Sequence, residues 1–209
     1  MKISKLTKKV EITAGFLLFL CAYYYFDPAE SFFPFLLSLS LHELGHLTAL
    51  WLCKTSVHRL RFTLSGTVIQ TAPQNYRQEI VTAAAGPLMN FFLAAALLHK
   101  LPEIALLNLG LLLYNLLPIY PLDGGRILRA TLHLLLGQKA AFAVENTVIL
   151  LCAATLLTFS CYLTCVLHAG LWPILVFFFL FLRVGETIFP KRRFLQLTNR
   201  TQRAKINEL

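Results

Sequence analysis

The sequence has 209 residues, of which 57% are hydrophobic and only 14% are charged, and its formal net charge is +9. Soluble domains carry about 25% charged residues, so this composition excludes an ordinary soluble globular protein. The basic residues lie between apolar stretches and at both ends, a distribution that predicts membrane topology and not binding to nucleic acid. We expect a membrane protein that is surrounded by the lipid bilayer and has no nucleic acid among its partners.

Six apolar segments come close to the length of about 20 residues that a membrane-spanning helix needs. They cover approximately residues 10–26, 31–53, 79–99, 103–119, 141–162 and 165–182. With the N-terminus in the cytoplasm, the alternating loops put the basic clusters inside and leave Lys100 outside. The sequence therefore predicts an all-α fold, a six-helix transmembrane bundle over residues 1–185, with both termini in the cytoplasm. Residues 186–209 are expected to form a basic cytoplasmic tail.

The second predicted span carries the string His42-Glu43-Leu44-Gly45-His46 near its middle. Two imidazoles four residues apart share one face of a helix and can hold one Zn²⁺, and the carboxylate between them can take a proton from the metal's water. Titratable groups near the bilayer centre cost about 3 kcal/mol each, so three of them in one turn need a compensating partner. The string predicts a zinc site; its alternative is a chance match in a helix whose histidines are hydrogen-bonded.

Residues 57–70, directly after this span, change from helical periodicity to alternation. Polar and apolar side chains alternate from Arg59 to Leu64, and Ser65-Gly66 then supplies a turn. The pattern predicts a short β-hairpin or a re-entrant strand region after the second span.

A catalytic zinc site usually has three protein ligands and a water molecule, and the chain holds only two aspartates, Asp27 and Asp123. Asp27 follows the first span, where a solvated turn is expected. Asp123 lies in the proline- and glycine-rich segment 115–125. A helix over 103–117 would be about 22 Å long, shorter than the hydrocarbon core of about 30 Å, so this segment begins within the membrane. We predict that Asp123 lies beside the metal; an ordinary helix-ending turn is the alternative.

Both motifs, HELGH and NLLPIYPLDGG, resemble those of the site-2 proteases, which are intramembrane zinc metalloproteases. The resemblance covers roughly residues 10–185 and includes the string AGPLMN at 85–90. It is strongest to the branch that contains stage IV sporulation protein FB, although the CBS domain of that branch and a PDZ domain are not found in this sequence.

The resemblance implies that His42, His46 and Asp123 hold one zinc ion per chain, and that Glu43 acts as general base and then as general acid. It implies a metalloendopeptidase in a bacterial cell membrane that cuts a membrane-associated protein near the cytoplasmic leaflet. A sporulation pro-sigma factor, an anti-sigma factor and a signal-peptide remnant all stay open as substrates. A membrane regulatory protein and a homo-oligomer stay open as partners.

Substrate contact is implied for Asn115 and Pro121, and also for the strand that contains Gly66, because an edge strand of this kind receives the substrate in the family. Each of these has a structural alternative. Asn115 could bond between helices, the strand could belong to a purely structural hairpin, and Gly86 and Asn90 could serve helix packing alone.

Two other functions use the same residues. A transmembrane metal or proton transporter would also place His, Glu and Asp at mid-membrane, but polar groups would then continue on both sides of the site. The outer half of the predicted spans is instead rich in Phe, Leu and Ala. A catalytically inactive scaffold would have little use for Glu43 between both histidines.

Overall fold

A computed structural model of the protein describes residues 10–26, 31–63, 66–166 and 168. The described part is mostly helical, with one small sheet. Its elements in chain order are β1 (Val10–Ile12), α1 (Ala14–Phe26), α2 (Phe32–Leu52), β2 (Val57–Thr63), β3 (Gly66–Thr71), α3 (Tyr76–Leu97), α4 (Pro102–Asn115) and α5 (Asp123–Cys165). Contacts divide the chain into two compact units, residues 1–148 and 149–209. All predicted site residues belong to the first unit.

Helix α3 packs against both α2 and α4 in the first unit. Small side chains make the contacts close: Ala49 on α2, Ala83 on α3 and Ala105 on α4 are all buried. A Cβ atom at Gly45 would lie only 2.7 Å from the carbonyl oxygen of Ala85. Close helix approach through small residues is typical of helices that associate without a strong hydrophobic driving force.

A capping box fixes the start of α3. The Asn75 side chain accepts a hydrogen bond from the Gln78 backbone at 2.8 Å, and the Gln78 side chain accepts one from the Asn75 backbone at 3.2 Å. From this start, Thr82, Gly86 and Asn90 follow at intervals of four residues, share one helix face and are buried. This face carries the contacts to the histidines of α2 described below.

The sheet has three strands in the order β1-β2-β3. Strands β2 and β3 form the hairpin that the alternating pattern predicts, and β1 adds to the other edge of β2 in parallel. Glu11 of β1 lies between two cations of β2, at 3.2 Å from Arg59 and 2.8 Å from Arg61. The start of the first predicted span, residues 10–12, is therefore strand instead of helix, because these charge pairs and the backbone ladder hold it in the sheet.

The prediction of six spanning helices is not confirmed. Five helices occur in the described residues, and two of them, α3 and α5, are long and apolar enough to cross a membrane. The sixth predicted span, 165–182, lies almost wholly outside the described residues. The fifth predicted span, 141–162, lies within α5 after Gly137, whose φ of 73° marks a break between two merged helices; the first of these, from Asp123, was not predicted. Because Arg126, Arg129 and His133 interrupt the apolar pattern before this break, composition alone did not indicate a helix there.

Candidate metal centre

Helix α2 presents two histidines on one buried face. His42 and His46 are one turn apart and only 3% and 5% exposed. Their Nε2 atoms lie 3.1 Å from each other. The i, i+4 spacing therefore produces the expected convergence of the two imidazoles.

Asp123 is the first residue of α5, and its Oδ2 atom lies 3.2 Å from His42 Nε2 and 3.1 Å from His46 Nε2. The preceding loop folds back tightly against the start of the helix. A Cβ atom at Gly124 would lie 2.7 Å from the Leu117 carbonyl oxygen, and one at Gly125 would lie 2.6 Å from the Ile119 carbonyl oxygen. The two glycines therefore let the loop place the Asp123 carboxylate against α2.

Helix α3 orients both imidazole rings. His46 Nδ1 donates a hydrogen bond to the backbone carbonyl of Thr82 at 2.7 Å, and His42 Nδ1 donates to Asn90 Oδ1 at 3.2 Å. A carbonyl oxygen can only accept, so each Nδ1 carries a proton, and each Nε2 is the ring nitrogen that can offer a lone pair to a metal. Two Nε2 atoms and a carboxylate oxygen thus face one another in a buried space, an arrangement that suits a bound cation.

The spacing of the three donor atoms fits a tetrahedral metal ion. Ligand atoms bound to one zinc ion at about 2.0 to 2.1 Å lie about 3.3 Å apart, close to the observed 3.1 and 3.2 Å. Within the described residues, His42, His46 and Asp123 form the one cluster with metal-binding geometry. A set of two histidines and one carboxylate leaves a fourth position open, as catalytic zinc sites do.

Gly86 of α3 provides the space in which the two rings lie. A Cβ atom at this position would lie 2.6 Å from His46 Cε1 and 2.8 Å from His42 Cε1. Both distances are far below van der Waals contact. Any side chain at residue 86 would therefore displace the histidines, so Gly86 belongs to the site in addition to the helix packing.

The Glu43 carboxylate lies close enough to both histidines and to Asp123 for direct charge interactions. The hydroxyl of Thr67, the second residue of β3, hydrogen-bonds this carboxylate. The hairpin thus meets the candidate metal centre at Glu43. A carboxylate held beside the open position of a metal site can accept a proton from a water molecule there.

Arg126, one turn into α5, holds the other oxygen of Asp123. Its Nη1 atom lies 3.5 Å from Asp123 Oδ1, and its Nε atom lies 3.6 Å from Glu79 Oε1 on α3. The carboxylate of Asp123 is therefore oriented on both oxygens, one toward the histidines and the other toward Arg126.

None of the residues predicted to contact substrate belongs to the cluster of His42, His46 and Asp123. The Asn115 side chain donates to the Leu111 carbonyl of its own helix at 3.0 Å. Pro121 is exposed, two residues before Asp123. Gly66 begins β3, where it pairs with Thr63 and precedes Thr67.

Sequence reasoning missed Thr82 and Thr67. The position of Thr82, four residues before Gly86 on one helix face, is a signal that could have indicated its contact with α2. The contact of Thr67 with Glu43 depends on how the hairpin packs against α2, and no local sequence pattern predicts it.

Comparisons with known proteins find that this chain is similar to metalloproteases. Residues 96–159, which include Asp123, match the sequence model of peptidase family M50. A zinc metalloprotease of Methanocaldococcus jannaschii is 32% identical over 117 residues, covering 50% of this chain and 34% of that protein. Stage IV sporulation protein FB of Bacillus subtilis is 30% identical over 160 residues, covering 68% of this chain and 54% of that protein.

The fold has a relative among solved structures. The site-2 protease from Methanocaldococcus jannaschii superimposes with a TM-score of 0.63 at 25% sequence identity, over 85% of this chain and 89% of the other. The chain itself spans a third to a half of the length of the two curated relatives it matches.

Proposed function

We propose that this chain, which carries a peptidase M50 domain of the site-2 protease type, is an intramembrane zinc metalloendopeptidase. The observation that carries the proposal is the convergence of His42, His46 and Asp123, with donor atoms 3.1 to 3.2 Å apart and Glu43 beside them. A fold relative and two sequence relatives of the same type support it.

One zinc ion per chain would be held by His42 Nε2, His46 Nε2 and Asp123 Oδ2. When bound, it would act as a Lewis acid and lower the pKa of a water molecule toward 7. Thr82 and Asn90 keep both imidazoles in the tautomer that offers Nε2. Arg126 keeps the Asp123 carboxylate oriented.

Glu43 serves as the general base that takes a proton from the attacking water and later gives it to the leaving amine of the cleaved bond. The Thr67 hydroxyl donates to Glu43 and limits the directions in which its carboxylate can turn. Without this hydroxyl, the carboxylate would be free to rotate away from the water.

The substrate would bind as an extended strand along β3, in the β-augmentation mode. Thr67 of this strand lies at Glu43, so a peptide paired with the strand would pass close to the metal. Gly66, Asn115 and Pro121 are the proposed substrate contacts. A helical substrate must first unwind, since the carbonyl groups of a helix are already hydrogen-bonded.

The chain would cross a bacterial cell membrane several times, with residues 1–185 as the protease domain and residues 186–209 as a basic cytoplasmic tail. The distribution of Lys and Arg supports cytoplasmic termini and a cut near the cytoplasmic leaflet. The many large apolar side chains exposed on the helices, such as Leu18, Trp51 and Leu135, suit contact with lipid.

The substrate would be a membrane-associated protein cut in regulated intramembrane proteolysis. Similarity to stage IV sporulation protein FB favours a sporulation pro-sigma factor among such substrates. A membrane regulatory protein or a second copy of the chain is the partner we propose for control of the site.

The substitution Glu43→Gln in the purified full-length protein tests this function. We expect zinc to remain at close to one per chain, because Glu43 is not among the three ligands, and cleavage of a membrane substrate to fall by at least about a hundredfold. Asp123→Asn is the matched control: it should lower zinc content as well as cleavage. Unchanged cleavage by the Glu43 variant would refute the proposed mechanism, and zinc transport that survives the substitution would favour a transporter.

A further inference from the structure

A cavity in the first unit has none of the three candidate metal ligands in its lining. Its volume is about 750 Å³, and it is lined by the start of α3, by the loop before α5 and by both sides of the break at Gly137. Arg129 and His133 come from before this break, and Gln138 and Lys139 come from after it. The positive φ of Gly137 thus brings two groups of polar side chains to one cavity.

The lining has an excess of positive charge. Its one carboxylate, Glu79, already faces Arg126 at 3.6 Å. Arg129 reaches Glu145 only at 3.9 Å and lies over the Tyr120 ring at 5.2 Å. Lys139 takes part in none of the ion pairs found between described residues. The cavity therefore offers an anion one cation, Lys139, that has no ion pair among the described residues, and a second, Arg129, whose ion pair with Glu145 is long.

His133 offers a further polar group. Its ring stacks on Tyr76 at 5.4 Å with an interplanar angle of 9°, so its orientation is fixed. Its Nδ1 atom is buried and has no hydrogen-bond partner in the part of the chain that the structure describes. Buried polar atoms in folded proteins almost always have a partner, so this nitrogen is available to a bound molecule or to a water molecule.

The position of the cavity indicates the kind of anion. It lies beside the start of α3, and its α5 residues, from Arg129 onward, lie beyond Asp123 along the helix, where Arg129 and Lys139 carry positive charge. In a membrane protein, basic residues gather at the level of the phospholipid headgroups, and basic pockets between helices bind anionic headgroups there. The aromatic rings of Tyr76 and Tyr120 in the lining suit the same interfacial level.

We propose that this cavity binds the phosphate of an anionic phospholipid, with Arg129 and Lys139 as the charged contacts and His133 as a hydrogen-bonding contact. The proposal depends on the membrane insertion proposed above but not on peptidase activity. It therefore has a test that does not require cleavage.

Binding of short-chain phosphatidylglycerol to the purified full-length protein in detergent, measured by native mass spectrometry, is the test. We expect one saturable site per chain, and no comparable binding of short-chain phosphatidylcholine or inorganic phosphate at the same concentration. The double substitution Arg129→Gln with Lys139→Gln should weaken phosphatidylglycerol binding by about tenfold or more. Zinc content and monodispersity serve as checks that the variants are folded.

Two further variants sharpen the result. Lys54→Gln with Arg77→Gln removes the same charge from exposed positions outside the cavity lining and should leave binding within about twofold of the wild type. His133→Phe keeps a ring that can stack on Tyr76, removes the unpartnered nitrogen, and should weaken binding even where the double variant does not fold.

Several outcomes would overturn the proposal. If the double variant at Lys54 and Arg77 lost as much phosphatidylglycerol binding as the double variant at Arg129 and Lys139, the lipid would be held by general charge attraction and not by this cavity. Equal binding of inorganic phosphate would assign the cavity to a soluble phosphate compound. If the variant with Arg129→Gln and Lys139→Gln bound phosphatidylglycerol like the wild type but had a raised KM for a peptide in phosphatidylcholine nanodiscs, the cavity would be assigned to the substrate.

Discussion

Replacement of Asn90 by Leu is expected to weaken zinc binding without removing a ligand. Asn90 is fully buried, and its Oδ1 atom accepts the His42 Nδ1 proton at 3.2 Å. In the metal-free variant the imidazole can move its proton to Nε2. With a metal on Nε2, the proton must stay on Nδ1, where Leu offers no acceptor.

The cost of that unpaired donor therefore falls on the metal-bound form. A buried donor without a partner costs about 1 to 3 kcal/mol, and 1.4 kcal/mol corresponds to a factor of ten in affinity. We expect the dissociation constant for zinc to rise about 10- to 100-fold, which is also the range found for outer-shell partners of metal-binding histidines. Competition with a chromophoric chelator in detergent measures it.

Asn108 provides a matched control on α4. It is also buried, and its side chain donates to Ser38 of α2 at 3.0 Å, one turn before His42, without contacting a ligand. Asn108→Leu should lower the unfolding temperature but leave zinc affinity unchanged. Asn90→Asp should retain the wild-type zinc affinity, because a carboxylate also accepts a hydrogen bond from His42. Wild-type zinc affinity in Asn90→Leu, or an equal loss in Asn108→Leu, would refute the reasoning.

Three further substitutions test other contacts. Gly86→Ala should abolish zinc binding, because its Cβ would overlap both imidazole rings, whereas Gly110→Ala should leave zinc binding unchanged, since a Cβ there would meet no atom within 4 Å beyond its own stretch of helix; metal analysis of the two variants distinguishes them. Thr67→Val should lower kcat roughly tenfold with zinc retained, and Thr67→Ser should restore it, because the hydroxyl holds Glu43; a substrate cleavage assay measures both. Glu11→Gln should lower stability by less than about 1 kcal/mol, and the difference should fade at high salt, because its ion pairs are half-exposed; thermal unfolding at two salt concentrations measures it.

Opposite results have clear meanings. Full zinc content in Gly86→Ala would mean that α3 does not approach the histidines as described. Equal activity of the Thr67→Val variant and the wild type would mean that the hairpin does not orient Glu43. A salt-independent loss in Glu11→Gln would mean that β1 is held by contacts other than charge pairs.

The convergence of His42, His46 and Asp123 was accessible from the sequence because local rules determine most of it. The spacing of His42 and His46 requires a shared helix face. The prolines and glycines around Asp123 require a break in the helix beside the membrane-depth motif. The hydrogen bonds of Thr82 and Asn90 to the two histidines were not predicted, since they depend on the register in which α3 packs against α2.

The fold was predictable where an element depends on its own periodicity. Helices α2 and α3 and the hairpin lie within a few residues of their predicted positions. The addition of β1 to the sheet depends on a partner strand almost fifty residues away, and hydropathy instead assigned residues 10–12 to a helix. The early start of α5 was missed because its first turns carry Arg126 and Arg129, which contact Asp123, Glu79 and Glu145 instead of lipid.

The zinc K-edge X-ray absorption spectrum of the purified protein measures the coordination directly. Two imidazoles and a carboxylate should give one zinc ion per chain with nitrogen and oxygen ligands at about 2.0 to 2.1 Å and no sulfur. The spectrum of a variant in which His42 and His46 are replaced by Ala should lack the features of imidazole ligands. A sulfur shell at about 2.3 Å, supplied by any of the five free cysteines, or a protein that binds no zinc, would contradict a metal centre made by His42, His46 and Asp123.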